Sequence, residues 1–305
     1  MHIVSGSRIP EEGVFDMNLG NGDGGATGSE LLRAQAHILN HTYSFINSLC
    51  LKWAIEQGIP NLIHHHGRPI TLLELVSALD VQPTKAHYVR RLMRILVHSG
   101  FFELRDLEEA NRQTGYALNS VSHLLVKSNP SSIAAYALFA LTPFPKGHWQ
   151  YLSAWLRDGE DVHPSTFEMA YGVPAWDAWR SPEINSLFNE AMASDSSLMA
   201  KAVVDTCRGL FEGLSSVVDV GGGTGTLSKV ITQAFPHLEC TVLDQPHVVD
   251  GLVGSERLKF VGGDMFVEIP SADAIILKVS TTPLPYVSND KGRPCLQFNS
   301  TYPIT

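Results

Sequence analysis

The chain has 305 residues, 44% of them hydrophobic, and a formal net charge of −9. That length holds two ordinary domains, each able to bury its own core. The acidic balance excludes an extensive duplex-binding face, which needs clustered Lys and Arg to neutralise phosphates. Cys50, Cys207, Cys240 and Cys295 lie far apart without a C-x-x-C pair, so they read as reduced thiols and not as a disulfide frame or zinc site. The longest apolar run, "IAAYALFAL" from Ile133, falls short of the ~20 residues that span a bilayer. No apolar segment follows a basic start, so no secretory signal is expected. The expectation is a cytoplasmic protein with neither a nucleic-acid nor a membrane partner.

Residues 1–28 end in "GNGDGGATG", a composition that buries no core and reads as a disordered leader. From Glu30, "ELLRAQAHILNHTYSFINSLCLKWAIEQGI" repeats apolar residues at helical spacing, with Gly58 and Pro60 as its stop. The triplet His64-His65-His66 then falls on a loop with no Cys or carboxylate beside it. Adjacent residues there seldom converge on one ion, and no metal site is expected.

In "TLLELVSALDV", Thr71 and Glu74 have the spacing of a capping box, each side chain satisfying the other residue's free N–H. A helix over "PTKAHYVRRLMRILVHSG" closes at Gly100, and "FFEL" and "GYALN" read as two short strands. Helix, turn, helix and two-stranded wing give residues 29–130 a winged-helix outline. Such a unit either reads DNA, here through Arg90, Arg91 and Arg94, or packs against a second copy. Three arginines on an acidic chain favour packing.

Residues 131–204 form a helical region rich in aromatics, including Trp149, Trp155, Trp176 and Trp179. Most such rings belong to cores, and Trp176 is a candidate for the wall of a pocket for a flat ligand. The helix "SPEINSLFNEAMASDSSLMAKAVVDTC" opens on Ser181 as N-cap with Pro182 in its first turn. Its apolar stripe runs Ile184, Leu187, Phe188, Ala191, Met192, Leu198, Met199, Ala202, and Asp195 lies on it. An inward carboxylate is costly unless paired. Asp195 is either a half-exposed charge at the stripe's end or a group facing a ligand.

Residues 205–278 read as part of a parallel sheet. "SVVDV" and "ECTVLD" are strands around the helix "TLSKVITQAF", a βαβ unit. The connecting loop Gly221-Gly222-Gly223-Thr224-Gly225 lets the backbone turn tightly and approach a ligand closely. A dinucleotide fingerprint needs glycine at 226, where the chain has Thr226. The run Asp219, Gly221, Gly223, Gly225 has instead the pattern of S-adenosylmethionine-dependent methyltransferases. Asp244, roughly 20 residues beyond the loop, can accept both ribose hydroxyls. "RLKFVGGDMF" adds a third strand leading into Asp264 and Met265, and "ADAIILK" a fourth, apolar on both faces and ending at Lys278. A glycine turn in a non-binding α/β fold is the alternative; the acids around it weigh against that.

Taken in order, "RAQAHILNH", "RRLMRILVHSGFFE", "YLSAW", "FNEAMASDS", "VDVGGGTG", "GGDMF" and "IPSADAIILK" resemble the plant phenolic O-methyltransferases of the isoflavone, flavonoid and stilbene type, from roughly Ser29 to Lys278. The resemblance implies a homodimer, an S-adenosylmethionine cofactor and a small phenolic substrate. It implies that Gly221, with Gly223, lies against the cofactor and that Asp244 holds the ribose. Asp264 and Met265 would contact the adenine, Lys278 would complete the site, and Met192 would pack on the phenolic ring.

The likeness stops after Lys278. The family carries its base, a histidine, a few residues on, and Thr282 stands in that place. Residues 279–305 hold four prolines and no visible periodicity, so they read as an irregular tail beside an open sheet edge. Lys-Val-Ser can be encoded AAG-GTA-AGT, an exon end running into an intron donor, so a retained intron or gene-model error is expected there. The glycine-rich leader would be a second such departure. The fold expected is α/β: a winged-helix dimerisation region and a partial, four-stranded Rossmann-like sheet. Two functions follow: a phenolic O-methyltransferase with impaired catalysis, or a catalytically inactive protein that binds cofactor or only dimerises.

Overall fold

The computed structural model describes residues 27–108, 113–159, 162–278 and 295–298. Two compact units divide the chain, residues 1–44 and residues 45–305. Helix α1 (Gly28–Glu56) supplies the described part of the first unit. It starts two residues before the apolar pattern does, because Thr27 and Glu30 cap each other. The Glu30 carboxylate accepts from the Thr27 amide at 2.6 Å, and the Glu30 amide donates to the Thr27 hydroxyl at 3.4 Å. Leu31, Leu32, Ile38, Leu39 and Tyr43 are exposed along it.

In the second unit, α1 continues with Phe45, Ile46 and Leu49 exposed and Cys50, Ala54 and Ile55 buried. Gly58 then turns the chain at φ 67°, and Pro60 does not end the helical region: it sits in the first turn of α2 (Ile59–His66). The three histidines therefore form the last turn of a helix, where the sequence suggested a loop. Helix α3 (Leu72–Ala78) has its capping box complete, with the Glu74 amide donating to Thr71 Oγ1 at 3.2 Å and Glu74 Oε2 accepting from the Thr71 amide at 2.8 Å. Helix α4 (Ala86–His98) follows, then the antiparallel strands β1 (Phe102–Glu108) and β2 (Gln113–Leu118). Ile59, Leu75, Val89, Met93, Leu96 and Phe102 make the core of this region, and Arg90, Arg91 and Arg94 are exposed on the far side of α4.

Short helices α5 (Ser120–His123), α6 (Ala134–Ala140), α7 (Pro143–Gly147), α8 (Leu152–Trp155), α9 (Thr166–Tyr171) and α10 (Ala175–Ala178) lead to the long α11 (Pro182–Thr206). Strand β3 (Ser216–Val220), helix α12 (Thr226–Ala234), strand β4 (Glu239–Asp244), helix α13 (Pro246–Val249) and strands β5 (Leu258–Gly262), β6 (Ala274–Lys278) and β7 (Cys295–Phe298) complete the described chain. The sheet order is β5-β4-β3-β6-β7, with every pair parallel. One face of the sheet buries Val217, Val242, Cys240 and Ile276 against Ala200 and Val203 of α11 and Leu227 and Ile231 of α12. The other buries Val218, Val220, Leu243, Ile275 and Leu277. Covering both faces is what lets Val217-Val218 of β3 and "AIIL" of β6 be apolar at successive positions.

One expectation for the C-terminal segment fails. Residues 295–298 pair in parallel with β6, from Ile275↔Cys295 to Lys278↔Phe298, so the edge of β6 is not open and the tail is not wholly irregular. Four residues after Pro294 are too few to display an alternating pattern. No helix among the described residues is long and apolar enough to cross a membrane.

Candidate active site

The carboxyl ends of β3, β4 and β6 finish level, with Val220 opposite both Leu243 and Leu277. From there Gly221 and Gly223 take left-handed backbone angles, φ 68° and 58°, that side chains other than glycine rarely adopt. A Cβ at either position would meet nothing within 4 Å, so the outer side of the loop is open. Gly222 faces the other way: a Cβ there would lie 2.7 Å from Asp219 Cγ and 3.0 Å from Val242 Cγ1. The loop is therefore closed against the sheet at Gly222 and free toward solvent on either side of it.

Asp219 lies beneath the loop, 1% exposed, with the Ser228 hydroxyl donating to Oδ2 at 2.7 Å. Burial pushes its carboxyl up to about 6; the Ser228 hydrogen bond and the Lys278 charge oppose the rise, and Asp244 adds to it. The motif acid thus supports the loop from inside. Ser228 was not singled out from the sequence, and its signal is there: it occupies the first turn of α12, facing the strand that the helix covers.

Asp244 ties the loop to the end of β4. Its Oδ2 accepts from the Gly223 amide at 2.8 Å and its Oδ1 from the Gln245 amide at 2.7 Å. Each oxygen keeps a second lone pair for a further donor. After β5, the Gly263 amide donates to the Asp244 carbonyl at 2.9 Å, which brings the next turn to the same edge. In that turn Asp264 is exposed, with Oδ1 accepting from the Phe266 amide at 2.8 Å, and Met265 packs on the sheet face against the Val218–Leu277 cluster.

Asp195 is neither a half-exposed charge nor free to face a ligand unaided. Lys278 Nζ donates to its Oδ2 at 2.7 Å, and the two side chains are 12% and 13% exposed. Met192, one turn earlier, is half-buried. The rest of the expected stripe shifts: Leu187 is 55% exposed, and the buried line of α11 is Ala191, Ser196, Ala200 and Val203. Small residues let α11 come close to its neighbours, and Ser194 Oγ accepts from the Tyr136 amide of α6 at 3.2 Å. Phe188 stacks on Trp179 at 4.6 Å and 13°, with Phe139 edge-on at 5.7 Å, one turn from Met192. Trp176 sits on α10, with its side chain outside the described residues, and Thr282 lies outside them altogether. At the histidine triplet, Glu74 Oε1 approaches His66 Nε2 to 3.7 Å, a carboxylate that sequence order had hidden. No group of three or more His, Cys, Asp or Glu among the described residues could hold a metal ion.

Residues 149–281 match the O-methyltransferase domain family, and residues 39–128 match the O-methyltransferase dimerisation domain family. A trans-resveratrol di-O-methyltransferase from Vitis vinifera is 49% identical over 263 residues, which covers 86% of this chain and 72% of that protein. A flavonoid 4'-O-methyltransferase from Glycine max is 47% identical over 258 residues, covering 84% and 70%. Among solved structures, the mitomycin 7-O-methyltransferase MmcR superposes with a TM-score of 0.60 at 29% identity, over 83% of this chain and 72% of its own.

Proposed function

The chain belongs to the plant O-methyltransferase family, and from that premise we propose that it binds S-adenosylmethionine at the glycine loop, pairs with a second copy in the cytoplasm, and receives a small phenolic of the flavonoid, isoflavone or stilbene type, with its methyl transfer impaired. When bound, the cofactor supplies a methyl group made electrophilic by a sulfonium.

The observation that carries the binding reading is the Asp244–Gly223 hydrogen bond beside two glycines with open outer faces. A nucleoside needs close backbone approach and a carboxylate for its hydroxyls, and this edge offers both. Asp264, Met265 and Lys278 stand at the ends of the neighbouring strands, so the same crevice can hold the base and the charged tail. On α11, Met192 presents a soft, adaptable surface for a flat ring, with Phe188 and Trp179 one turn away. Trp176 is carried into this proposal from the sequence alone, as a residue of the same wall.

Impairment follows from residue type. A phenol with a pKa near ~10 is almost wholly protonated at neutral pH, and its phenolate is the nucleophile. Histidine, titrating near ~6.5, can take that proton, and a general base contributes roughly 10²–10⁴ in rate. Thr282, at the corresponding place, has a hydroxyl that does not accept a proton in this range. Calorimetric titration with S-adenosylhomocysteine, alongside radiolabelled methyl transfer to a phenol panel, separates the readings. Cofactor binding with turnover near background is the expected result. Turnover far above background would sink the impairment, and no binding at all would leave only the dimerisation function.

A further inference from the structure

The Asp195–Lys278 pair is not explained by the ribose and ring contacts above. Its members lie 83 residues apart in sequence, one on α11 and one at the last position of β6, and both are nearly closed to solvent. Withdrawing two charges from water is costly, and an apolar pair of similar size would hold a helix on a sheet at least as well. What a buried ion pair does better is fix geometry, because only one arrangement satisfies both charges. The location gives that geometry a use. Met192 lies one turn before Asp195, Leu277 is paired with Val220 at the mouth of the glycine loop, and the Lys278 charge also acts on Asp219 beneath that loop.

We propose that Asp195 is a positioning residue, whose carboxylate fixes the Lys278 ammonium at the carboxyl edge of β6 and so ties the helix bearing Met192 to the cofactor crevice. The proposal rests on the cofactor reading given above. It adds linkage: a phenol lying on α11 and a cofactor lying at β6 favour the same arrangement, so each tightens the other's binding by the same factor.

The test is calorimetric titration of the whole chain with S-adenosylhomocysteine, for the unchanged protein, Asp195→Asn, Lys278→Met, the double variant and Asp195→Glu. The melting temperature of each is measured without ligand. Asp195→Asn and Lys278→Met are each expected to weaken binding roughly tenfold or more, and the double variant is expected to bind no worse than the weaker single. Asp195→Glu, which keeps the charge, is expected to recover most of the affinity. Asp195→Asn binding like the unchanged chain would overturn the proposal and leave the cofactor reading standing. Additive losses in the double variant, or a fall in melting temperature that tracks the lost affinity with no recovery in Asp195→Glu, would also overturn it. Failure of the unchanged chain to bind would instead remove the cofactor reading, and the proposal with it.

Discussion

Asp219 shows what the glycine loop costs the strand beneath it. The carboxyl is raised from an ordinary 3.8 to about 6 because it is fully buried, and one hydroxyl only partly offsets that. Below pH 3.8 both folded and unfolded chains hold the proton and no penalty arises. Between 3.8 and about 6 the folded chain holds more protons, so stability falls as pH rises; above that the penalty is constant, about 3 kcal/mol for such a shift. Asp219→Asn removes the titration. Its unfolding free energy relative to the parent should therefore rise by about 2 kcal/mol between pH 4 and pH 7, measured by urea denaturation at steps across that range. A constant difference would mean that the carboxyl ionises at its ordinary value. Gly222 answers to the same contact from above. Gly222→Ala places a methyl 2.7 Å from Asp219 Cγ, and should cost about 1–3 kcal/mol of stability in the same assay and weaken cofactor binding as the loop shifts. An Ala variant as stable as the parent would show that the loop is not seated on Asp219.

At the scale of elements, the clearest sequence signals were those in which local chemistry and burial agree. The capping box of α3 is one. Thr71→Ala should lower stability by about 1 kcal/mol, read as a shift in denaturation midpoint without a change in slope. Glu74 is held down to about 2, first by its hydrogen bonds from Thr71 and then by Arg68, so its contribution is present above pH 4.5 and fades as pH falls toward 2. The Thr71→Ala defect should shrink over that acid window, and a defect independent of pH would mean that the box is not formed. Strand β6 was legible because burial on both faces leaves the apolar run from Ala274 to Leu277, and β3 and β4 because the short apolar pairs Val217-Val218 and Val242-Leu243 stand on either side of the glycine loop and α12. What was not legible has physical reasons. Helix α2 was hidden because Gly58 and Pro60, which ordinarily end a helix, here separate two. Strand β7 is too short to show a period. The stripe of α11 was misplaced because alanines and serines carry the close packing, and hydrophobicity ranks them below the exposed Leu187. Asp195 was read correctly as costly, but its partner arrives from a strand far along the chain.

At the scale of the whole molecule, three capacities separate: pairing with a second copy, holding the cofactor and moving a proton off the phenol. On the function proposed above, only the last depends on position 282. On the proposed reading the pairing face lies on α1, where Phe45, Ile46 and Leu49 stand 55%, 39% and 44% exposed, within the segment that matches the dimerisation family. Clustered apolar side chains of that size on one helix mark an interaction surface rather than scattered surface residues. The same helix buries Cys50, Ala54 and Ile55 in its own core, so its outward residues can be changed without opening that core. The chain should sediment as a dimer. Because apolar contacts are insensitive to screening while charge pairs weaken within a short Debye length, raising the salt to about 1 M should leave the dimer intact. Phe45→Asp combined with Leu49→Asp places two carboxylates on the facing surface of each copy, and should convert the dimer to monomer while helical circular dichroism is kept. Cofactor binding measured on the same variant then sorts the two capacities. Retained affinity in the monomer would mean that the crevice between Gly221, Asp244 and Lys278 is complete within one chain, whereas a salt-sensitive dimer, or one unmoved by the two aspartates, would show that this face of α1 is not the one that pairs.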